Sequence, residues 1–370
     1  MDVGNFNCEK ERNNVRILIF IGLLLFGFCH GAEVSGESKV EPKICETDLY
    51  VMGSYVLDGR AKEDRAVLVG NLGIYSPQAE GYAFAGVFDG HHQNTLNVFS
   101  AKKFISPVPQ YLADHFPSLL ATSDWMTTRF CFWPHLDIPG AFESACKSAD
   151  REVKRIGASA HGSTLTSVLL SPEREIIVAN VGDSRTKYYC FDDVGSFVPV
   201  FVRQTLMHDL YNVKEYFRVE CCGASLSNVG GVIRINGSAA YTRSIGDGVY
   251  GDMVLSKPDV ETWNFTGEGT EFLVLGSDGL WDVDRYEHDR IGFDVGQFVY
   301  EKLREKVSVD VIAEQLVRKA AYVWDITAGD WPGLETDDIS AVIIVPKQKA
   351  TVELQEVVVE LAAVGGDKHE

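Results

Sequence analysis

The order of the predicted elements favours an α+β fold. Strand-like segments come first and are followed by helices, then strands, then helices again and a closing strand. Regular alternation of strand and helix would instead predict repeated βαβ units. The chain has 370 residues, of which 45% are hydrophobic and 24% are charged, which is the composition of a globular protein with a sizeable core. Disordered, collagen-like and membrane-bundle proteins are therefore excluded.

Each element has its own local signal. Residues 50–71 read as strand, turn and strand, with Asp58-Gly59 as the turn signal. Helical spacing of apolar residues predicts helices within 92–120 (interrupted by Pro107 and Pro109), at 141–156, and twice within 295–322. Short apolar or alternating runs predict further strands at 81–88, 163–170, 175–180, 186–191, 272–276 and 339–345.

The remaining segments mark the domain organisation. We expect a signal peptide at 1–31, a linker at 32–48, one large domain at 49–347 with a flap-like insertion at 201–250, and a tail at 348–370. The tail is apolar enough to be a helix or a strand. We interpret the aromatic-rich connector around Trp125, Phe130, Phe132 and Trp133 as residues that cover the hydrophobic core. The alternative is a docking patch for another protein.

The first 31 residues have the pattern of a secretory signal peptide. Basic residues at 10, 12 and 16 precede an apolar run at 17–29, and small residues surround Gly31. The run is shorter than the about 20 residues that span a bilayer. We therefore expect cleavage after Gly31 and a protein that is secreted, kept in the secretory pathway or exported to another compartment, without stable membrane insertion. An uncleaved anchor or a buried N-terminal helix is the alternative.

Charge is the most unusual feature of the composition. There are 34 basic and 53 acidic residues, which give a formal net charge of −19. Such a chain repels phosphate backbones and anionic lipid, so we expect no nucleic-acid partner. If many of the carboxylates converge, they could instead bind divalent cations. The eight cysteines include no Cys-x-x-Cys pair, which argues against zinc, and the pattern leaves disulfide pairing open.

Several acids share one setting, at the end of an apolar strand. They are Glu63-Asp64, Asp89, Asp183, Asp278 and Asp337-Asp338. Any one of them could be an ordinary turn residue, but carboxylates at the mouths of several buried strands are costly unless they are paired or bind metal. Two divalent ions about 3.5–4 Å apart would clamp a phosphoryl group and activate water. The pattern therefore predicts a dinuclear metal site.

Six ordered segments resemble the motifs of the metal-dependent serine/threonine protein phosphatases, the protein phosphatase 2C or PPM family. They are Phe88-Asp-Gly-His91, Gly162-Ser-Thr164, Ala179-Asn-Val-Gly-Asp-Ser-Arg185, Arg243-Ser-Ile-Gly-Asp247, Gly276-Ser-Asp-Gly-Leu-Trp-Asp282 and Asp337-Asp-Ile-Ser340. The stretch Gly230-Gly-Val-Ile-Arg-Ile-Asn-Gly237 is also similar to the family segment before the Arg-x-x-Gly-Asp motif. The resemblance covers roughly residues 50–345.

The resemblance implies a four-layer α-β-β-α sandwich in which two central antiparallel sheets are flanked by helices. It also implies two Mg²⁺ or Mn²⁺ ions, possibly with a third, and phosphoprotein substrates bound by a monomer. Carried over by motif, the metal ligands are Glu63, Asp89, the Gly90 carbonyl, Asp278 and Asp337, with Asp64 on a metal-bound water and Asp183 and Asp282 joining Asp278 at the third site. His91 would protonate the leaving seryl or threonyl oxygen while a metal-bridging hydroxide attacks phosphorus, and Arg60 would hold the phosphate.

The chain lacks the signatures of two other classes. No cysteine is followed six positions later by arginine, so the Cys-x5-Arg phosphatase loop is absent, and there is no Gly-Lys-Ser/Thr P-loop. All principal acids are present, which favours an enzyme. The alternatives are a secreted pseudophosphatase that acts as a binding module and a hydrolase of small phosphoesters.

Four positions depart from the family pattern. Gly59 occupies the place of the phosphate-binding arginine, so that Arg60 must reach from one residue later. His92 replaces a small residue and would narrow the cleft, transfer protons, bind metal or simply point outward. Leu210 replaces a histidine, and Asp338 replaces an asparagine, which adds negative charge beside Asp337.

Overall fold

The structure is a computed structural model that describes residues 41–59, 62–92, 106–127, 135–193, 199–285, 293–330 and 337–347. The predicted signal peptide, Arg60, the aromatic residues at 130–133 and the predicted tail from 348 onward lie outside the described residues. No described helix is both long enough and apolar enough to cross a bilayer.

In the described residues, eleven strands build two central sheets. In chain order they are β1 (Lys43–Glu46), β2 (Tyr50–Leu57), β3 (Arg65–Val69), β4 (Ala83–Phe88), β5 (Leu165–Leu170), β6 (Glu175–Val181), β7 (Arg185–Phe191), β8 (Phe201–Gln204), β9 (Asp259–Asn264), β10 (Thr270–Gly276) and β11 (Ile339–Pro346). Six described helices accompany them: α1 (Val108–Thr122), α2 (Ile138–Arg155), α3 (Val213–Cys221), α4 (Asp278–Arg285), α5 (Val295–Arg304) and α6 (Val309–Asp330).

Both sheets are antiparallel throughout. The six-stranded sheet has the order β1-β2-β11-β10-β7-β8, and the five-stranded sheet has the order β9-β6-β5-β4-β3. The register of β11 on β2 pairs Ile339 with Leu57 and Pro346 with Tyr50. This register sets Asp337 and Asp338, just before β11, beside the turn that follows β2.

A core lies between the two sheets. Its members alternate along the strands, such as Met52 on β2, Ala85 and Val87 on β4, and Val342 and Ile344 on β11. Alternation places every second side chain on the same face. Each fully buried Val, Leu or Ile contributes about 1.5–3 kcal/mol relative to exposure.

Helices cover the outer face of each sheet. Phe84 and Phe88 of β4 pack on Phe116 of α1 and share a buried cluster with α2. The other sheet packs on α4, α5 and α6. Here α6 approaches β2 so closely that a Cβ on Gly53 would lie 2.4 Å from the amide nitrogen of Asp310. The four-layer α-β-β-α arrangement is therefore confirmed.

The boundaries of the predicted linker and flap are different in the structure. Part of the predicted linker, Lys43–Glu46, is the edge strand β1 paired with β2, and Phe201–Gln204 pairs with β7 as strand β8. Both strands are only four residues long, and β1 exposes most of its side chains. Their pairing partners decide their conformation, because four residues carry too little pattern to predict a strand.

The flap follows β8. It contains α3 and an antiparallel hairpin formed by Leu226–Val229 and Val232–Ile235. Leu210, Val219 and Ile235 belong to its own small buried cluster. Leu210, the residue that replaces a family histidine, is therefore a core residue of the flap.

The structure also answers three questions that the sequence left open: where α2 begins, whether Trp125 is a core residue, and whether the described cysteines form disulfides. Asp137 caps α2 by accepting a hydrogen bond from the Gly140 amide at 3.0 Å, so the helix begins three residues before the predicted start. Trp125 is buried and donates to the Leu120 carbonyl at 2.7 Å, which makes it a core residue rather than part of a docking patch. The cysteines at 45, 146, 190, 221 and 222 are all free thiols.

Candidate metal centre

A small three-stranded sheet lies at the predicted site. Gly90–His92 pairs with His161–Ser163, which pairs in turn with Ile245–Gly246. The strand ends are held by Thr164, whose amide donates to the Asp89 carbonyl at 2.9 Å and whose hydroxyl accepts from the Asp89 amide at 3.2 Å. The Gly162-Ser-Thr164 motif therefore has a structural role, which is to fix the backbone of Asp89.

Most of the predicted site residues line one cleft of about 290 Å³. Those in its wall are Asp89, Gly90, His91, Asp183, Asp278 and Asp337, together with His92, Arg234 and Tyr241. Asp183 and Asp278 also line an adjoining cleft of about 680 Å³, which contains Asp282. The structure thus brings together acids from the ends of β4, β6 and β10 and from the start of β11.

These carboxylates are close enough to repel one another. Burial raises the pKa of Asp89 well above its usual value, and the charges of Asp278, Asp64 and Asp337 raise it further. Burial and the charges of Asp337 and Asp183 act in the same direction on the pKa of Asp278. Burial and mutual repulsion thus favour the protonated form of these groups, whereas a bound cation would favour their ionised form.

Glu63 and Asp64 are both buried beside Asp338. The Glu63 amide donates to Oδ2 of Asp338 at 2.5 Å, and the Asp338 amide donates to Oδ1 of Asp337 at 2.9 Å. Burial and the Asp338 charge raise the pKa of Asp64 to about 8, although Ser340 donates a 2.8 Å hydrogen bond to its Oδ2. Asp338 therefore joins the two acidic segments that flank the sheet.

The donor set fits Mg²⁺ or Mn²⁺. All of its members offer oxygen, the ligand type that these ions prefer. Within the described part of the chain, Oδ1 of Asp64 and Oδ1 of Asp338 are buried without a hydrogen-bond partner, and each could accept a cation or a metal-bound water. Among the same residues no three acidic or histidine side chains already form a complete ligand cluster. The individual ligand assignments stay predictions.

His91 lies at the edge of this acidic cleft. Its Nε2 is 2.6 Å from Oδ2 of Asp247, and its ring stacks on Tyr241 with centroids 4.0 Å apart. Burial lowers the pKa of His91, but the charge and hydrogen bond of Asp247 outweigh burial, and the net effect is a raised pKa. The sequence indicated Asp247 only as part of a motif and assigned it no role.

The structure explains two of the departures from the family pattern. A Cβ on Gly59 would lie 2.4 Å from the Asp337 carbonyl oxygen, so no arginine fits at this position. His92 does not point outward: it lines the cleft, and its Nδ1 is 3.2 Å from Oε1 of Glu63. The position of Arg60 lies outside the described residues.

The buried histidine His208 supports the loop that carries Asp183. Its Nδ1 accepts a hydrogen bond from the Gly182 amide at 3.1 Å, and its Nε2 is 3.1 Å from Oδ2 of Asp259. The neighbouring residue Ser184 contacts Thr164 through a 2.6 Å hydroxyl–hydroxyl hydrogen bond. The Asp183 loop is therefore held from both sides.

Comparison with known proteins identifies the family. The sequence profile described as Protein phosphatase 2C matches residues 62–323, which is more than half of the chain. The chain belongs to the protein phosphatase 2C family. Members of this family are metal-dependent serine/threonine protein phosphatases, and this chain is assigned to that class of enzyme.

Individual relatives agree with the assignment. The chain is 27% identical over 296 residues to "Probable protein phosphatase 2C 28" of Arabidopsis thaliana, an alignment that covers 79% of this chain and 70% of that protein. It is 31% identical to "Protein phosphatase 1L" of Bos taurus over 54% of this chain and 51% of that protein. Among solved structures, the serine-threonine phosphatase 2C from Toxoplasma gondii has the same fold, with a TM-score of 0.61 at 18% identity over 84% of this chain and 98% of that one.

Proposed function

We propose that this protein phosphatase 2C chain hydrolyses phosphoserine and phosphothreonine in proteins, with water as the nucleophile and Mg²⁺ or Mn²⁺ as the cofactor. One observation carries the proposal: buried carboxylates from the ends of separate strands meet at a single cleft beside His91. The bound ions would neutralise phosphoryl charge and lower the pKa of the attacking water.

The ligands would come from both sheets. Glu63 and the Gly90 carbonyl would hold one ion, Asp278 and Asp337 the other, and Asp89 both. Asp64 would orient a metal-bound water through the oxygen that has no hydrogen-bond partner in the described structure. Asp183 and Asp282 would hold a third, weaker ion with Asp278.

The chain's own groups would handle the substrate. His91 would donate a proton to the seryl or threonyl oxygen as the P–O bond breaks. Arg60 would hold the phosphate. The reaction needs no covalent intermediate, since the nucleophile is water.

An activity assay tests the proposal directly. The purified chain with millimolar Mn²⁺ or Mg²⁺ should release phosphate from a phosphoserine peptide, and Asp89→Asn should abolish release and weaken Mn²⁺ binding in calorimetry. Glu220→Gln, an exposed change on α3, is the matched control and should behave like the wild type. Absence of hydrolysis would instead support a pseudophosphatase, and hydrolysis confined to small phosphoesters would support the third alternative.

We also propose that the chain enters the secretory pathway and acts there or after export as a monomer. The pattern of residues 1–31 supports this location. N-terminal sequencing of the protein purified from its native cells should find a start at Ala32. A start at Met1 on a membrane-bound form would support the anchor alternative.

A further inference from the structure

We propose that Asp247 positions His91 for proton transfer, so that the strand returning from the flap determines how well the enzyme cleaves esters with poor leaving groups. The inference rests on the proposed function, in which His91 is the general acid. Asp247 is a positioning residue, because it acts on the substrate only through the imidazole.

The contact between the two side chains determines which nitrogen is used. Nε2 of His91 lies 2.6 Å from Oδ2 of Asp247, whose side chain is fully buried, while the His91 side chain is 20% exposed. An Nε2–H that donates to this carboxylate leaves Nδ1 as the nitrogen that can reach a leaving oxygen. Asp247 thus selects the orientation of the ring.

The carboxylate of Asp247 is itself firmly held. The Ser244 hydroxyl donates to Oδ2 at 2.7 Å, and the Asp247 amide donates to the His161 carbonyl at 2.9 Å. Asp247 adopts φ 48° and ψ 36°, a left-handed conformation that most non-glycine residues avoid. Such strain persists where surrounding contacts require one geometry.

The strand that carries Gly162 leaves no space for a side chain beside His91 and Asp247. A Cβ on Gly162 would lie 2.0 Å from Oδ2 of Asp247, 2.5 Å from Nε2 of His91 and 2.5 Å from the Ser244 hydroxyl. Tyr241 closes the opposite side by stacking on the imidazole at 4.0 Å. The ring is therefore constrained at its edge by Asp247 and on its face by Tyr241.

Water forms a bond to phosphorus and loses a proton to solvent. The bond between phosphorus and the ester oxygen breaks, the electron pair stays on that oxygen, and the proton on Nδ1 of His91 completes the seryl hydroxyl. Solvent then reprotonates Nδ1. A seryl oxygen needs this proton, whereas p-nitrophenolate leaves readily without it.

The test compares these two leaving groups in the full chain loaded with Mn²⁺. Asp247→Asn should lower kcat for a phosphoserine peptide by about 10²-fold and kcat for p-nitrophenyl phosphate by less than about threefold, with both KM values unchanged. Gly162→Ala should produce the same selective loss. Asp252→Asn makes the same chemical change at an exposed position just after the flap and should alter neither rate.

His91→Ala in the same assay separates the claim that His91 is the general acid from the claim that Asp247 positions it. If it shows the selective loss and Asp247→Asn loses both activities equally or neither, the positioning role is wrong. If His91→Ala shows no selectivity, the acid assignment fails and the positioning role fails with it, while hydrolysis by the wild type still supports phosphatase function. If Asp247→Asn does not fold, Ser244→Ala should show a smaller selective loss of about threefold to tenfold, and equal effects on both substrates would overturn the inference.

Discussion

Replacing Glu215 with alanine should destabilise the connection between the flap and the sheets. Glu215 is only 3% exposed, although it is charged. Its Oε1 accepts from Arg243 Nη2 at 2.6 Å, and its Oε2 accepts from Arg218 Nη2 at 2.8 Å and from the Thr242 hydroxyl at 2.9 Å. Burial alone would raise the pKa of Glu215, but hydrogen bonds from Arg243 and Arg218 outweigh burial and lower it.

The expected loss of stability follows from the arginine charges that the substitution leaves without a partner. Truncating one partner of a buried ion pair typically costs about 3–5 kcal/mol, because the remaining charges lose their partner. At about 2 °C per kcal/mol for a domain of this size, the melting temperature should fall by about 6–10 °C. Arg243 retains Asp259 at 2.7 Å, which favours the lower end of this range.

Urea and thermal unfolding of the purified chain would measure the effect. Glu314→Ala is the matched control: Oε1 of Glu314 accepts a 2.9 Å hydrogen bond from Nε of Arg318 on the partly exposed surface of α6, and the substitution should cost at most about 0.5 kcal/mol. Hydrogen exchange should show the loss concentrated in α3. Equal losses in the two variants would refute the assignment of Glu215 as a buried anchor.

Two further predictions concern the metal centre. Asp338→Asn keeps an acceptor for the Glu63 amide but removes a buried charge. The Mn²⁺ dissociation constant measured by calorimetry should therefore rise about tenfold, while the metal-free protein becomes more stable. An unchanged dissociation constant would contradict this prediction. Without metal, burial raises the pKa of Asp64 to about 8 and that of Asp337 to about 6, from an ordinary value of 3.8. Their folded-state pKa values are above the unfolded ones, so the contribution of these two groups to stability is fully present below about pH 3.8 and is lost as pH rises toward 8. The increase in melting temperature on adding Mn²⁺ should therefore grow between pH 5 and pH 8, and an increase independent of pH would argue against the acidic cluster as the binding site.

Strong local patterns were sufficient to predict most of the sheets. β4, β5, β6, β7, β10 and β11 lie within two residues of their predicted bounds, because each is a short apolar run bounded by turn residues. β1, β8 and β9 were not predicted. Each lies at the edge of a sheet, where most of the described side chains are exposed or only half-buried and the pattern is weak.

The candidate site likewise has a part that the sequence predicted and a part that it did not. Acids placed where apolar strands end or begin predicted the cleft, since in an antiparallel sheet the end of one strand lies beside the start of its neighbour. The partners of those acids could not be predicted, because Asp338 reaches Glu63 across 275 positions and Asp247 reaches His91 across 156. No local pattern records such a contact.

The sequence by itself determined the family, the α+β class and the residues that can supply oxygen ligands, because these depend on residue types in a fixed order. Only the tertiary structure decided that Gly59 leaves no space for an arginine, that His92 faces Glu63, and that His91 is held between Asp247 and Tyr241. Each of these contacts depends on distances of a few ångströms between segments that are far apart in the chain. The register of β11 on β2 sets the distance at Gly59, and the register of the small three-stranded sheet sets the distances around His91 and His92. Strand register depends on packing that no single segment contains.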